Sequence, residues 1–400
     1  MSTTSPLRAY RQPLDRQDGS PLLHPPSPLY PGRKPGAAPA EGLLMSPKPQ
    51  PSRQPAQPGP PGPGPFEAEE QFRHRPVMVD EVVELFAPTP AGWALDATVG
   101  GGGHARALLE AYPHLRVLGL DRDTDAVAAA SSALARFGDR AKVVHQRFDR
   151  LDVVLDELGI PSVSGALFDL GVSSPQIDRP ERGFSYRADA PLDMRMDRSE
   201  PRTAARFLDE ASEAELARLF VLHGETRFAR RIAAAIVAAR PVHTTLALAD
   251  VVSSAVPAAV RRRGHPAKRV FQALRAAVNG ELEVLPVAID AALSRLSPGG
   301  RIVVISYHSG EDRATKDRFV EAASGGCTCP PGLPCVCGAE PRVRLLNRGA
   351  RKPSVAEVEA NPRSESARLR AVEALPAKAG ARPDETRPDE TRPDEKGRPL

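Results

Sequence analysis

Short apolar runs through the middle of the chain alternate with segments whose apolar residues have helical spacing. The short runs predict the strands of an α/β sheet. A helix is predicted at Ala105–Ala111, directly after the first of these runs. Strands that alternate with helices are typical of a doubly wound parallel sheet with both faces covered. The runs with the length of a buried strand are Trp93–Thr98, Arg116–Leu120, Lys142–Gln146, Gly165–Phe168 and Arg301–Ser306.

Carboxylates and glycines stand where these predicted strands end. Asp96 closes the first strand and precedes the four glycines Gly100–Gly103, Asp121 follows the second strand, and Asp169 closes the fourth. Glycine lets the backbone approach a ligand where a Cβ would clash, and a carboxylate after the second strand suits two ribose hydroxyls. Phe148, just past the third strand, is placed to lie against an adenine ring. The order of these residues predicts a nucleoside site at the carboxyl ends of the strands.

Each of these residues also has an ordinary structural interpretation. Taken singly, the glycines could form a tight turn and the acids could cap helices. The turn also lacks the GxGxxG spacing of a dinucleotide site, because no third glycine opens the helix. A nicotinamide dehydrogenase would need that spacing and a hydride-transfer site, and neither is found. An adenosyl group without a pyrophosphate motif predicts S-adenosyl-L-methionine as the cofactor.

Composition separates a foldable centre from two polar ends. Residues 1–65 hold 18 of the 43 prolines, and Arg-Pro-Asp-Glu-Thr repeats from Arg382 and Arg387. Neither end can bury enough apolar area to offset its ordering entropy, so an extension over 1–71 and a charged tail over 374–400 are predicted to be disordered. No apolar run reaches the length of a membrane span and no apolar signal-peptide core is found, so a cytoplasmic protein without a membrane partner is expected.

Charge is informative only locally. The formal net charge of +4 does not by itself indicate a polyanionic partner. Arg261, Arg262 and Arg263, followed by Lys268 and Arg269, form a strongly basic segment that makes such a partner plausible.

Four cysteines lie close together as Cys327, Cys329, Cys335 and Cys337. A secreted disulfide framework would spread them along the chain, so their grouping favours a reducing compartment. The C-x-C-x5-C-x-C pattern is compatible with a structural zinc ion, with buried thiols or with a local disulfide. C-x-C is tighter than the C-x2–4-C spacing usual for zinc. No metal is predicted in the catalytic or cofactor site.

A set of longer motifs occurs in one order between residues 73 and 372. These motifs are His74-Arg75-Pro76-Val77-Met78, Gly100-Gly101-Gly102-Gly103-His104, Asp121-Arg122-Asp123, Asp169-Leu170-Gly171-Val172-Ser173-Ser174-Pro175-Gln176, Arg182-Gly183-Phe184-Ser185, Pro191-Leu192-Asp193-Met194-Arg195-Met196, His265-Pro266-Ala267, Phe271-Gln272-Ala273-Leu274-Arg275, Tyr307-His308-Ser309 and Glu311-Asp312-Arg313. The set closely resembles the ribosomal RNA small subunit methyltransferase H family, whose members methylate the exocyclic N4 of cytosine 1402 in 16S rRNA.

The resemblance implies a Rossmann-like class I methyltransferase sheet in two parts, 72–177 and 264–373. A helical insertion over 178–263 would separate these two parts and recognise the substrate. The implied partner is 16S rRNA in the small ribosomal subunit, and the oligomeric state is left open between a monomer and a homodimer. The resemblance also implies cofactor contacts, all but two of which (His104 and Gln176) the residue patterns reach independently: Gly102, Gly103, His104, Asp121, Phe148, Asp169 and Gln176.

Methyl transfer to the amine of cytosine needs an acceptor that binds its N–H, because the nitrogen lone pair is delocalised into the ring. Many amino-methyltransferases place an Asn/Asp-Pro-Pro-aromatic motif after the fourth strand, where this chain has Asp169–Pro175. The candidate catalytic residues are therefore Asp169, Ser173 and Ser174, together with His308 at a neighbouring strand end. Asp169 could instead be occupied with the cofactor, and His308 could be a satisfied hydrogen-bonding residue.

Further positions keep alternative interpretations. Met194 and Met196 are either core residues or substrate-facing ones. Tyr307 departs from the family pattern, which usually has phenylalanine there. A non-catalytic ribosome-assembly factor that binds S-adenosylmethionine and RNA is the alternative to the enzyme.

Overall fold

A computed structural model describes residues 76–262, 264–330 and 336–376. The predicted extension over 1–71, Arg263, Cys335 and the tail beyond residue 376 lie outside the described residues. Each helix in the described part of the chain is too short or too polar to cross a membrane.

Within the described residues, seven strands form one sheet in the order β3-β2-β1-β4-β5-β7-β6. Strands β1 to β5 are parallel, and β7 is antiparallel to both of its neighbours. The strands are β1 Gly92–Asp96, β2 Leu115–Asp121, β3 Ala141–His145, β4 Val163–Asp169, β5 Leu296–Ser306, β6 Val343–Leu345 and β7 Arg368–Ala374. This sheet confirms the predicted doubly wound α/β class and brings the predicted strand ends to one edge.

Helices cover the sheet and fill the segment between β4 and β5. In chain order they are α1 Val79–Phe86, α2 Gly103–Ala111, α3 Thr124–Leu134, α4 Leu151–Glu157, α5 Ser174–Asp178, α6 Ala204–Glu210, α7 Glu213–Leu222, α8 Ala229–Ala238, α9 Thr245–Ala255, α10 Ala258–Arg261, α11 Ala267–Asn279, α12 Glu281–Arg295, α13 Ser309–Ser324 and α14 Val355–Ala360. Short 3-10 turns lie at Ala135–Arg140, Phe148–Arg150, Pro180–Arg182 and Pro362–Ser366.

The central strands are apolar throughout because both faces of the sheet are covered. In β4, Ala166 and Phe168 belong to one core cluster and Leu167 belongs to the cluster on the opposite face. Successive strand residues point to opposite faces, so a strand buried on both sides has no polar alternation. The last residue of β4, Asp169, lies at the carboxyl end of the strand, outside the core, and is partly exposed.

The helices between β4 and β5 have a hydrophobic cluster of their own. It joins Leu208 of α6, Phe220 of α7, Ile232 of α8 and Val252 of α9. The cluster supports the proposed helical insertion over 178–263, but it continues to Leu274 of α11. These helices therefore share a core with α11, which lies beyond residue 263, and the division of the chain into domains remains a proposal.

Candidate active site

The glycine turn connects β1 to α2 and leaves an opening toward a cleft. Gly102 has a φ of +81°, which favours glycine, and a Cβ at Gly103 would overlap the ring of Pro76. A Cβ at Gly101, by contrast, would meet nothing within 4 Å. Gly102 is thus required by its backbone conformation and Gly103 by packing against Pro76, whereas the space beside Gly101 is open. This opening is the observation that fits an adenosyl cofactor.

Asp121 ties the end of β2 to the glycine turn. Its Oδ2 accepts a hydrogen bond from the N–H of Gly100 at 2.9 Å, and its Oδ1 accepts one from the N–H of Asp123 at 2.9 Å. Burial raises the pKa of the Asp121 carboxyl, and these two N–H groups oppose the rise. Each carboxylate oxygen keeps a second lone pair, so the residue can still accept from ribose hydroxyls.

Asp169, His104 and Tyr307 lie together at the end of β4. The Tyr307 hydroxyl donates to Oδ1 of Asp169 at 2.8 Å, and Nδ1 of His104 lies 3.6 Å from Oδ2. Nε2 of the buried His104 lies 3.0 Å from the carbonyl oxygen of Val77, which can only accept, so that nitrogen carries a proton. Burial and the adjacent carboxylate raise the pKa of Tyr307 well above its ordinary value, so its hydroxyl remains a donor.

Asp96 is a buried carboxyl group at the end of β1, near this site, with a single hydrogen-bond donor among the described residues. It is 1% exposed, its Oδ1 accepts from the N–H of Thr98, and its Oδ2 has no hydrogen-bond partner among the described residues. Burial raises the pKa of Asp96 to about 7, although His104 nearby lowers it. Asp96 is thus a titratable group near neutral pH behind the glycine turn.

The predicted adenine partner, Phe148, lies where the third strand leads into a 3-10 turn. Its ring meets Phe168 edge to face, with the ring centroids 5.9 Å apart. The side chain lines the cleft and also packs against the core of the sheet. One edge of the ring is thus anchored while the residue still faces the space beside Asp121.

Gln176 and Ser173 belong to a buried network at the start of α5. Gln176 accepts from the N–H of Ser173 at 3.0 Å and donates to Oδ2 of Asp123 at 2.8 Å. Asp123 also forms a buried ion pair with Arg182 at 2.8 Å, with both side chains 3% exposed. Gln176 therefore fixes the acceptor loop (Asp169–Pro175) to the end of β2. Ser174 lies beside it on the cleft wall.

Met194 and Met196, which the sequence left as core or substrate-facing residues, lie in different environments. Met194 is fully buried in the helical cluster and is a core residue. Met196 is 8% exposed and lines the cleft. Asn279 holds both, because its Oδ1 accepts from the N–H of Met196 and its Nδ2 donates to the carbonyl of Met194. The chain near Met196 is therefore fixed beside the acceptor loop.

His308 caps the N-terminus of α13 and is not among the residues that line the described cleft. Its Nδ1 accepts from the N–H of Gly310 at 3.1 Å, and its Nε2 lies 3.0 Å from Oε1 of Glu311. Arg275 is buried nearby and pairs with Glu281 at 2.7 Å, next to Glu311. These contacts give His308 a structural role, so its predicted catalytic role gains no support from the geometry.

A single cleft of about 2300 Å³ joins the glycine turn to the acceptor loop and the helical segment. On the helical side, the ring of Tyr186 stacks on His265 with centroids 4.3 Å apart and meets Phe271 edge to face. Lys268 and Arg187 add exposed cations to this wall. The cleft thus has a carboxylate-lined end at the sheet and an aromatic, basic end at the helices.

The basic segment predicted from the sequence divides into two kinds of residue. Arg261 donates to the carbonyls of Ser253 and Val256 and so closes the end of α9. Arg269 lies 3.5 Å from Glu225. Arg262 and Lys268 are exposed, and only Lys268 lines the described cleft.

Several of these residues were missed by the sequence analysis. Asp123 and Arg182 both stand in the quoted motifs, and an acid and a base there could have been considered as a pair. Tyr307 was noted only as a departure from phenylalanine, and its extra hydroxyl is the group that contacts Asp169. Nothing in the local sequence indicates the contacts of Asn279 with Met194 and Met196, which lie more than eighty residues away.

A parallel sheet with one antiparallel strand, a glycine turn after β1 and a carboxylate after β2 together define a class I methyltransferase. The sequence pattern of the MraW methylase family matches residues 71–375. This chain belongs to that family, and its cofactor is S-adenosyl-L-methionine, as the sequence predicted.

Proteins named ribosomal RNA small subunit methyltransferase H are close relatives. One from Thermobifida fusca is 56% identical over 308 residues, which cover 75% of this chain and 93% of the relative. One from Acidothermus cellulolyticus is 53% identical over 310 residues, covering 76% and 94%. One from Heliobacterium modesticaldum is 50% identical over 311 residues, covering 76% and 99%. The predicted family is therefore confirmed, while the individual cofactor and catalytic residues remain predictions.

Proposed function

We propose that this enzyme transfers a methyl group from S-adenosylmethionine to the exocyclic N4 of cytosine 1402 in 16S rRNA. The names of the relatives support small-subunit rRNA as the substrate. The observation that carries the proposal is the single cleft, which joins the predicted cofactor residues to an aromatic and basic wall. Its volume of about 2300 Å³ exceeds the roughly 300–1,000 Å³ of a site for one small ligand.

The sheet end of the cleft would hold the cofactor. Asp121 would accept from the ribose hydroxyls, Phe148 would lie against the adenine, and the turn around Gly101 would allow close approach of the backbone. When bound, S-adenosylmethionine supplies an electrophilic methyl group on a sulfonium ion. The side chains then contribute mainly alignment of the acceptor nitrogen.

Asp169 is the best-placed acceptor for the amine N–H. It is 23% exposed at the cleft, and the Tyr307 hydroxyl positions it by donating to its Oδ1. The backbone carbonyls of Ser173 and Pro175 are less available, because they accept hydrogen bonds from the start and end of α5. A carboxylate hydrogen-bonded to the amine would localise the nitrogen lone pair and then take the proton.

The helical end of the cleft would receive the extruded base. A cytosine inside folded RNA must leave its stack to reach a methyl donor, and aromatic side chains stabilise such a base. Tyr186, which is partly exposed and packs against the buried Phe271, supplies a ring on this wall, and Lys268 supplies a cation for phosphate. The helical insertion would thereby recognise the substrate. The oligomeric state, and whether the acceptor is free rRNA or the assembled subunit, remain open within the proposal.

The test supplies labelled S-adenosylmethionine with small subunits and with naked 16S rRNA, both from a strain that lacks the enzyme. We expect label on one cytosine at N4, mapped by nuclease digestion and mass spectrometry. A substrate with uridine at position 1402 should accept no label. Label at another nucleotide would refute the assignment of the target. Cofactor and RNA binding without any transfer would favour the assembly-factor alternative.

A further inference from the structure

The cysteine segment lies far from the cleft. It follows Gly325, which ends α13, and leads into β6. Since α13 begins at the cleft edge and has 16 residues, its far end is about 24 Å away. Backbone bonds hold the segment to the helix end, where Cys327 N–H donates to the Ser324 carbonyl and Arg342 N–H donates to the Ala322 carbonyl. The segment is thus separate from the transfer site.

Three sulfur atoms converge in this segment. The Sγ atoms of Cys327, Cys329 and Cys337 lie within 4.8 Å of one another, and those of Cys327 and Cys337 are 3.6 Å apart. A zinc ion with Zn–S bonds of about 2.3 Å in tetrahedral geometry separates its sulfurs by about 3.8 Å. A disulfide requires about 2.05 Å. The observed separation is too long for a disulfide. It is the contact of two thiols, one donating to the other, and it lies close to the spacing of two ligands of one metal.

The backbone around Cys329 is arranged for a thiolate. Its sulfur accepts hydrogen bonds from the N–H groups of Val336 and Cys337. Zinc binds the thiolate form, and N–H groups that donate to sulfur stabilise it. Cys327 and Cys329 are partly buried and Cys337 is exposed, so a metal ion could reach the site from solvent.

We infer that Cys327, Cys329 and Cys337 bind a structural zinc ion. The ion would connect the end of α13 to the return of the chain toward β6, a strand of only three residues that pairs with β7 at the sheet edge. The fourth corner of the tetrahedron is not assigned. Binding would displace the thiol protons, so uptake of zinc should release acid. This site is independent of the proposed methyl transfer.

The experiment uses the full-length protein without a histidine tag, purified under reducing conditions. Metal content is measured by mass spectrometry, and a mercurial reagent that modifies thiols is added while released zinc is followed with a chromogenic chelator. We expect about one zinc per chain, released in step with thiol modification. Cobalt in place of zinc should give the visible absorption of a tetrahedral thiolate site.

The variants locate the metal. Cys327→Ser with Cys329→Ser should lose the zinc and lower Tm, whereas Thr328→Ser, between the two ligands, should retain both. Cofactor affinity, measured by calorimetry, should be the same in all three proteins. Absence of zinc from the reduced wild type, even after incubation with zinc salts, would overturn the inference, and so would zinc that persists in the double variant. A disulfide between Cys327 and Cys337 in the freshly isolated protein would also overturn it.

Discussion

The two ends of the cleft are organised in different ways. At the sheet end, Asp121 is fixed by two backbone N–H groups, and Asp169 accepts a hydrogen bond from the Tyr307 hydroxyl. At the helical end, Lys268 is exposed, and Tyr186 is held by ring contacts. The first end holds its carboxylates in place for a small ligand, whereas the second presents charge and aromatic surface to a large polyanion. Substitutions at the two ends should therefore change different measured quantities.

The largest effect on the transfer rate is expected for substitution of Asp169, the proposed acceptor for the amine proton. Asp169→Asn keeps an oxygen for the Tyr307 hydroxyl but cannot take a proton, so the rate of methyl transfer should fall about 10²–10⁴-fold. Single-turnover transfer of a labelled methyl group measures this rate, and calorimetry measures cofactor affinity. A loss of cofactor affinity as large as the loss of rate would assign Asp169 to the sheet end alone.

The sheet end is tested by Asp121→Ala. Removing hydrogen bonds to a charged group costs about 1.5–3 kcal/mol, so cofactor affinity should fall roughly ten- to a hundredfold. Calorimetry checks this value, with exposed Asp139→Ala as the matched control. RNA binding should be unchanged. Equal cofactor affinity in the variant and the wild type would remove Asp121 from the site.

The same end should make stability depend on pH through Asp96. The native carboxyl keeps its proton up to about pH 7, whereas the unfolded one releases it near its ordinary value of 3.8. The native state therefore binds more protons between these values, and its stability falls as pH rises through this range. Between pH 5.5 and 8 this fall is about 2 kcal/mol.

Asp96→Asn should remove that part of the pH dependence, since the amide does not titrate. Urea unfolding at both pH values measures it, and Asp139→Asn is the control for an exposed carboxyl. Identical pH slopes for wild type and Asp96→Asn would show that burial of Asp96 has no such effect.

The helical end is tested by neutralising its exposed cations. Arg187→Gln with Lys268→Gln, two exposed cations that line the described cleft, should reduce the salt slope of RNA binding by about two, because fewer counterions are released. Arg261 is excluded because it closes the end of α9. Arg313→Gln with Lys316→Gln, two exposed cations on α13 away from the described cleft, is the matched control. If both pairs change the slope equally, RNA does not favour the helical end.

The smallest effect is expected for Tyr307→Phe. The ring would still pack against Gly171, but the hydrogen bond to Asp169 would be lost. A net loss of about 1 kcal/mol predicts a severalfold fall in transfer rate with unchanged cofactor affinity. Tyr112→Phe, which removes a hydroxyl bonded to the carbonyl of Val83, is the control. A rate equal to wild type would mean that the hydroxyl does not position Asp169.

The sequence alone was sufficient for the parts of this protein that depend on neighbouring residues. The strands β1 to β5, the glycine turn and the positions of Asp121 and Asp169 follow from local apolar runs and turn chemistry. In a parallel sheet such strand ends share one edge, so a correct strand assignment also brings the predicted cofactor residues together. The structure confirms this edge, with the observed strands extending one or more residues past several of the predicted ends.

Only the tertiary structure decided the contacts between distant segments. Tyr307 reaches Asp169 across 138 residues, Arg182 reaches Asp123 across 59, and Asn279 holds Met196 across 83. His308 stands at a strand end, as predicted, but its ring turns back to cap α13. Local patterns fix which residues form an element and which face is apolar. The partner of a buried polar side chain is set by how the elements pack, because each buried donor or acceptor takes whichever group the folded chain brings within reach.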